Sequence, residues 1–321
     1  MLTIREMSLT SIGENTWRQL VMNSQSATFF QTYGWINLWL QHFEHTLDRS
    51  LVFAIYENDV LIGIAPFAVK NNCIEFLTLT AVDTGDTLAD FGDIIVLPSK
   101  EERVWTIIIE QLMTLKETLG YSIKLNYLNS QSSSFSLLQK MALGGLDQVD
   151  VAPKLILPDD WNVYLSELSS HDRHELKRKL KIGWTEGLAM HVSVGEQEGW
   201  HAYSRLIKGA NSIKQTFYSK NIQSFFSELT FLQGTVLYFL KLDTEIIASL
   251  IAFDYKNQVL AYNSAFDVNF RRLSPGVVLF GLVIQHAIED KKNGFDFLRG
   301  DETYKYMLGG VDQPLFCLKN E

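Results

Sequence analysis

Residues 51–71 recur at 237–257, and this duplication limits the architecture more than any other feature of the chain. At a constant offset of 186 residues, Leu51-Val52-Phe53-Ala54-Ile55-Tyr56 lies over Leu237-Tyr238-Phe239-Leu240-Lys241-Leu242. The register continues without a gap to Phe67-Ala68-Val69-Lys70-Asn71 over Phe253-Asp254-Tyr255-Lys256-Asn257. Each copy reads as a β-rich strand, an acidic turn, a second strand and a polar turn, which predicts an antiparallel hairpin with a following strand. A long helical pattern and another strand come next in both: Glu101 to Leu119 then Tyr121 to Tyr127, and Pro275 to Lys291 then Phe295 to Leu298. Gly120 and Gly294 stand at the two helix-to-strand junctions, where glycine is a natural helix C-cap. The expected fold is therefore α/β with mixed sheets, in two tandem domains of residues 1–150 and 151–321. Each is a central, mostly antiparallel sheet flanked by helices, with the boundary near Val149 to Asp159.

Composition narrows the function classes. The chain has 321 residues, is 46% hydrophobic and 20% charged, and carries a net charge of −9, which is the profile of a protein with room for two cores. The charge is uneven: residues 1–150 hold 9 Lys/Arg against 17 Asp/Glu, whereas residues 151–321 hold 19 against 20. General nucleic-acid binding is not expected from such a surface. Cys73 and Cys317 are the only cysteines, too few for a disulfide framework or thiolate cluster, which suits a reducing compartment. His171 and His174 have no companions in a ligand-like spacing, so no metal is expected. No apolar run approaches the ~20 residues that span a bilayer, and Met1 to Leu20 has no signal core. The expected location is the cytoplasm.

The two copies differ ahead of their long helices. The first has Pro98-Ser99-Lys100-Glu101-Glu102, whose carboxylates repel an anion, and the second has Arg271-Arg272-Leu273-Ser274-Pro275-Gly276. Ser274 suits an N-cap, Pro275 the first helical position, and Gly276 a close approach of ligand to backbone. The positive end of the helix and the two guanidinium groups then form a candidate phosphate site. The plainer reading is a capped helix with two solvated arginines. Farther upstream, His171-Asp172-Arg173-His174-Glu175-Leu176-Lys177-Arg178-Lys179-Leu180-Lys181 places Arg173, Lys177 and Lys181 on one helix face. That face is either a groove lining or a solvated surface. Trp35, Trp39, Phe225 and Phe226 read as core, and Trp17 and Trp161 as packing residues at comparable starts of the two copies.

These motifs, with Phe295-Asp296-Phe297-Leu298-Arg299-Gly300-Asp301-Glu302-Thr303-Tyr304-Lys305, resemble the bacterial acetyltransferase-domain proteins of the CelD-like (cellulose biosynthesis) type. Those belong to the GNAT superfamily and are related to the double-GNAT FemABX peptidoglycan aminoacyltransferases. The resemblance spans roughly residues 10–310 and is strongest over 160–310. It implies an acetyl-CoA or other acyl-CoA donor, with its pyrophosphate at Arg271, Arg272, Ser274 and Gly276. Ser274 stands where the family's loop usually has its first glycine. The resemblance also places Tyr304 as the acid that protonates the departing thiolate. Asp301 or Glu302 could then accept the acceptor's proton and Lys305 could steady an oxyanion or an acceptor phosphate. Asp296, Arg299, Arg173 and Lys177 fall on the substrate side. The plainer assignment pairs Asp296 with Arg299 and uses Asp301 and Glu302 to cap a short helix.

The implied activity is N- or O-acyl transfer from a thioester to a small-molecule or glycan-precursor acceptor in exopolysaccharide or cell-envelope biosynthesis, with exopolysaccharide-synthesis proteins as partners. Two other readings stand beside it. One is a FemABX-like transferase using aminoacyl-tRNA, and the other is an inactive GNAT-like scaffold.

Overall fold

The computed structural model describes residues 1–141, 145–195, 197–208 and 219–320. The chain divides into two compact units, Met1–Asp150 with Gln313–Glu321, and Val151–Asp312. The last strand, expected with the second half, therefore belongs to the first.

In the first unit the elements are β1 (Leu2–Glu6), α1 (Leu9–Ile12), α2 (Glu14–Asn23), α3 (Tyr33–Phe43), β2 (Arg49–Glu57), β3 (Val60–Lys70), β4 (Cys73–Phe76), β5 (Ile95–Val96), α4 (Glu101–Leu119), β6 (Ser122–Asn129) and α5 (Ser133–Met141). β7 (Gly145–Ile156) crosses the division. The second unit continues with α6 (Trp161–Glu167), α7 (Ser170–Thr185), β8 (Leu188–Ser193), α8 (Gln197–Lys208), α9 (Lys220–Leu229), β9 (Thr235–Leu242), β10 (Glu245–Tyr255), β11 (Gln258–Phe266), α10 (Pro275–Glu289), β12 (Gly294–Asp296) and α11 (Thr303–Met307), and β13 (Val311–Asn320) closes the chain.

The two units repeat one topology. In the first, the strands run β1-β2-β3-β4-β6-β13, with β5 also on β3; only the β4–β6 pair is parallel. In the second the order is β8-β9-β10-β11-β12-β7, and only β11–β12 is parallel. Each parallel pair is joined by its long helix, α4 or α10, because parallel strands need a crossover that a tight turn cannot supply.

The register of the duplication is one residue away from the expected one. The left-handed turn residues Asn58 and Asp59 correspond to Asp243 and Thr244, and Asn71 and Asn72 to Lys256 and Asn257. The extra residue of the first hairpin's bulge is Ile62 and that of the second is Ile247. Turns and bulges thus superpose at an offset of 185. Apolar residues fill both faces of these strands, with β3 buried from Ile62 to Val69 and β10 from Ile246 to Phe253. A shift of one residue therefore leaves the hydrophobic pattern almost unchanged.

Core residues are where aromatic content placed them. Trp17, Trp35, Trp39, Phe225 and Phe226 are fully buried, while Trp161 is partly buried against the second core. In the second unit α10 is buried along most of its surface, between the sheet and α7. A Cβ on Gly281 would stand 2.9 Å from Leu176, so glycine there sets how closely the two helices approach. That contact brings one face of α7 to the start of α10.

Candidate functional site

β11 and β12 pair for three residues, from Gln258–Gly294 to Leu260–Asp296, and then part. β11 runs on to Phe266, while the chain after β12 turns to Pro153 and Val151 of β7, which accept from the N–H groups of Phe297 and Gly300. The sheet is therefore opened between two parallel strands, and α10 begins on the loop that follows the longer one.

That loop is a six-residue 3-10 turn, Val268–Leu273, capped by Asp267, where a plain basic turn was expected. Ser274 follows at φ 51° and ψ 49°, in the left-handed region. A side chain there costs roughly 1 kcal/mol or more relative to glycine. The loop thus keeps a glycine-type backbone although the residue is serine. In this conformation the Ser274 hydroxyl makes no capping bond to the helix, which corrects its expected role as a side-chain N-cap. Its Oγ accepts instead from Lys179 Nζ at 3.0 Å. Pro275 has no N–H, so Gly276 and Val277 are the first amides facing outward from α10. A Cβ at Gly276 would have only the Phe266 ring within 4 Å, at 3.5 Å.

Around this uncapped helix start stand three cations. Arg271 and Arg272 are exposed, and their guanidinium groups make no hydrogen bond or ion pair among the described residues, only the Arg271 carbonyl accepting from the Ser274 N–H. Lys179 is only 16% exposed at its side chain and is braced 3.3 Å from Glu175. Paired hydrogen bonds from Arg178, with help from Lys179, hold the Glu175 carboxyl down at about 2. The pair stays ionised and keeps Lys179 directed at the turn. Dipole, free amides and cations together can hold two adjacent phosphates.

The basic face expected from the sequence, Arg173 with Lys177 and Lys181, is not the face of α7 that meets Ser274. Arg173 reaches the Ser166 carbonyl at 3.4 Å, and Lys177 and Lys181 are exposed to solvent. At ~100° per residue, Lys177 lies ~160° around the helix from Lys179. The signal was available: Leu176, Leu180 and Gly183 are the buried residues of α7, and Lys179 borders that stripe. At the first unit's corresponding helix, α4, Glu101 and Glu102 occupy the opening turn, and Lys100 and Arg103 are taken up by Glu57.

The segment after β12 is built around Lys305. This lysine is 2% exposed, and its Nζ donates to the carbonyls of Leu298 (3.0 Å), Arg299 (2.7 Å) and Gly300 (3.1 Å) while lying 2.9 Å from Glu302 Oε2. Three carbonyls converge on one ammonium, in a turn with left-handed φ at Leu298 and positive φ at Gly300. The expected role in steadying a reacting oxyanion does not fit this enclosure, since every Nζ–H is already committed. Asp296 is buried and accepts from the Leu298 N–H at 2.8 Å, so its carboxylate also serves the turn. Arg299 is half-buried on that turn, and Asp301 and Glu302 are exposed. Glu302 occupies the N-cap position of α11 without a side-chain capping bond.

Tyr304 sits on α11 with its ring 5.0 Å from Phe280 and 6.4 Å from Phe297. Phe280 is five residues into α10, ~7.5 Å along the axis from Pro275. Burial, with Glu302 adding to it, pushes the Tyr304 phenol well above its usual range. It is therefore a proton donor throughout the neutral range and never a base there.

Comparison with known proteins bears on the fold that carries this geometry. A family model described as an acetyltransferase (GNAT) domain matches residues 172–306, all within the second unit. No curated protein matches the chain. Among solved structures, FemX is similar over 98% of this chain and 96% of its own, at 12% identity and TM-score 0.65. L-PGS from Bacillus licheniformis is similar over 95% and 91%, at 12% identity and TM-score 0.61. A tandem GNAT protein from the clavulanic acid biosynthesis pathway is similar over 99% and 98%, at 10% identity and TM-score 0.55. At such identities these likenesses speak to the fold, which is the tandem GNAT arrangement. No helix among the described residues is long and apolar enough to cross a membrane.

Proposed function

We propose that this chain, whose residues 172–306 form a GNAT-type acetyltransferase domain, moves an acyl group from an acyl-coenzyme A thioester to an amine or hydroxyl, with the donor held on the second unit. One observation carries the reading: the start of α10, left uncapped by Ser274, meets Lys179, Arg271 and Arg272 beside strands that part after three pairs. Pyrophosphate is the ligand that uses the amides of Gly276 and Val277 and the three cations at once. The pantetheine arm then lies between β11 and β12, in place of the strand that would continue the ladder.

Chemistry follows from this placement. Direct attack on a thioester needs chiefly positioning and charge stabilisation, and no activated nucleophile stands among the described residues to form a covalent intermediate. Tyr304, held beside α10 by Phe280 and Phe297, supplies the proton for the departing thiolate. Asp301, exposed at the mouth of the same turn, takes the acceptor's proton through water. Lys305 and Asp296 fix the turn that carries both. The acceptor reading, a small molecule or glycan precursor of envelope or exopolysaccharide synthesis, rests on the CelD-like sequence motifs.

Titration calorimetry with coenzyme A and acetyl-coenzyme A tests the donor assignment. Micromolar binding that weakens in Arg271→Ala supports it, and no heat at millimolar ligand removes it. A response to charged tRNA in place of the thioester would transfer the site to the aminoacyl reading.

A further inference from the structure

On the face of the second sheet opposite α10, β11 presents a polar group that the donor site does not use. The ladder between β11 and β12 ends at Leu260–Asp296, and within the next three residues β11 bulges against β10: Ala252 pairs with Ala261 and Ile251 with Asn263, leaving Tyr262 as the extra residue. Bulges re-aim side chains and commonly sit where strands serve a site. Here Tyr262 stacks on Phe226 of α9 at 5.8 Å, and Phe226 stacks in turn on Tyr203 of α8 at 6.2 Å. Tyr203 is fully buried, and its hydroxyl donates to Asn263 Oδ1 at 2.9 Å.

This bond fixes the carboxamide. With Oδ1 satisfied by a rigid phenol, the Nδ2 end carries two N–H donors that have no protein partner among the described residues. Asn263 itself is only half-buried. The helix that supplies Tyr203 is held close to the sheet: a Cβ on Gly199 would stand 3.0 Å from Leu237 and 3.1 Å from Phe239, and Arg205 donates to the Ile246 carbonyl at 3.1 Å. Ser249, opposite Ala265 on the same face, adds a fully buried hydroxyl with no hydrogen-bond partner among the described residues. Polar atoms are thus gathered where the parallel strands separate, inside an otherwise aromatic layer. Low polarity around them strengthens any hydrogen bond they make.

We infer that Asn263 is a catalytic residue of the acyl transfer, its Nδ2 holding the acyl carbonyl oxygen, and that Tyr203 is the residue that positions it. The inference rests on the donor site proposed above. A thioester lying between β11 and β12 has Tyr304 on the α10 side and Asn263 on the α8 side. As the acceptor nitrogen or oxygen bonds to the acyl carbon, the carbonyl electron pair moves to oxygen and is held by the Asn263 N–H groups. Collapse restores the carbonyl and breaks the carbon–sulfur bond. The thiolate takes the Tyr304 proton, the acceptor's proton leaves to water through Asp301, and the phenolate is reprotonated from solvent.

Isotope-edited infrared spectroscopy of acetyl-coenzyme A labelled with carbon-13 at the carbonyl tests this without knowledge of the acceptor, with calorimetry on the same samples. Wild type should bind the thioester and lower its carbonyl stretching frequency relative to the free ligand. Asn263→Asp, which removes the donors at constant shape, and Asn263→Ala should bind within about threefold of wild type yet lose that shift. Tyr203→Phe should show an intermediate shift. Hydrolysis of the bound thioester, with water in the acceptor's place and thiol release as the readout, should fall about 100-fold in Asn263→Ala, the usual effect of removing one oxyanion donor. Bound thioester with an unshifted carbonyl in wild type, or a shift that survives Asn263→Ala, overturns the role of Asn263 and leaves the donor site standing. Failure of wild type to bind the thioester overturns both.

Discussion

Lys179 Nζ donates to Ser274 Oγ at 3.0 Å, joining the basic helix α7 to the turn that opens α10. In the proposed donor site this bond singles out Lys179 among the lysines of α7. Lys179→Ala should weaken coenzyme A binding about tenfold, the effect of one hydrogen bond to a charged group. Lys177→Ala, on the solvated face, should change it less than twofold. Equal losses in the two variants by calorimetry would show that α7 acts only through its general positive field.

Arg271 and Arg272 are exposed, so their attraction for phosphate is screened by salt. The double variant Arg271→Ala/Arg272→Ala should bind coenzyme A at least tenfold more weakly at low salt, with a flatter dependence on ionic strength. Dephospho-coenzyme A and coenzyme A compared on both proteins would show whether the pair serves the pyrophosphate or the 3′-phosphate. A salt dependence unchanged from wild type would remove the arginines from the site.

Much of this was legible in the chain. The hairpins at 51–70 and 237–255 announce themselves because β-branched and aromatic residues are bracketed by Asn-Asp, Asn-Asn, Asp-Thr and Lys-Asn turns, and α4 begins and ends where its acidic first turn and Gly120 place it. The start of α10 was equally clear from Pro275. What escaped was whatever depends on direction. Lys179 and Lys177 are two residues apart, and the stripe of Leu176 and Leu180 that Lys179 borders tells which one meets Ser274 only once that stripe is packed at Gly281. Lys305 is expected from the sequence to steady an oxyanion or an acceptor phosphate, yet three carbonyls enclose it, because a turn with positive φ at Gly300 aims them at one point. β13 follows the second unit in sequence yet completes the first unit's sheet, because sequence order carries no information on which sheet edge a final strand completes.

Removing the Lys305 ammonium should unfold the turn that it organises. Lys305→Met keeps much of the volume but leaves the Leu298, Arg299 and Gly300 carbonyls without their donor. The expected loss of stability is about 3 kcal/mol, since unpaired buried carbonyls cost ~1–3 kcal/mol each and part of the turn relaxes into water. Glu302→Gln removes only the exposed partner and should cost less than about 1 kcal/mol. Urea unfolding followed by Trp fluorescence distinguishes them. A Lys305→Met protein as stable as wild type would mean that the ammonium is free for chemistry after all.

Asp93 gives the first unit a pH dependence of opposite sign to that of ordinary paired carboxylates. It is buried, and burial raises its carboxyl from 3.8 to about 6, against hydrogen bonds from Ser132, from Ser134 at 2.5 Å and from the Ile94 N–H at 2.7 Å that favour the charged form. Because the folded value lies above the unfolded one, the folded protein keeps a proton that the unfolded chain releases. The stabilisation is therefore complete below about pH 4 and lost as pH rises through about 6, by roughly 3 kcal/mol in total. Asp93→Asn carries no titrating proton at that position, and the serine hydroxyls can rotate to meet its amide. Relative to this variant, wild type should lose roughly 3 kcal/mol of stability between about pH 4 and pH 7, measured as the difference between their urea midpoints. A difference that stays constant across that range would place the Asp93 carboxylate in a solvated environment and contradict its burial.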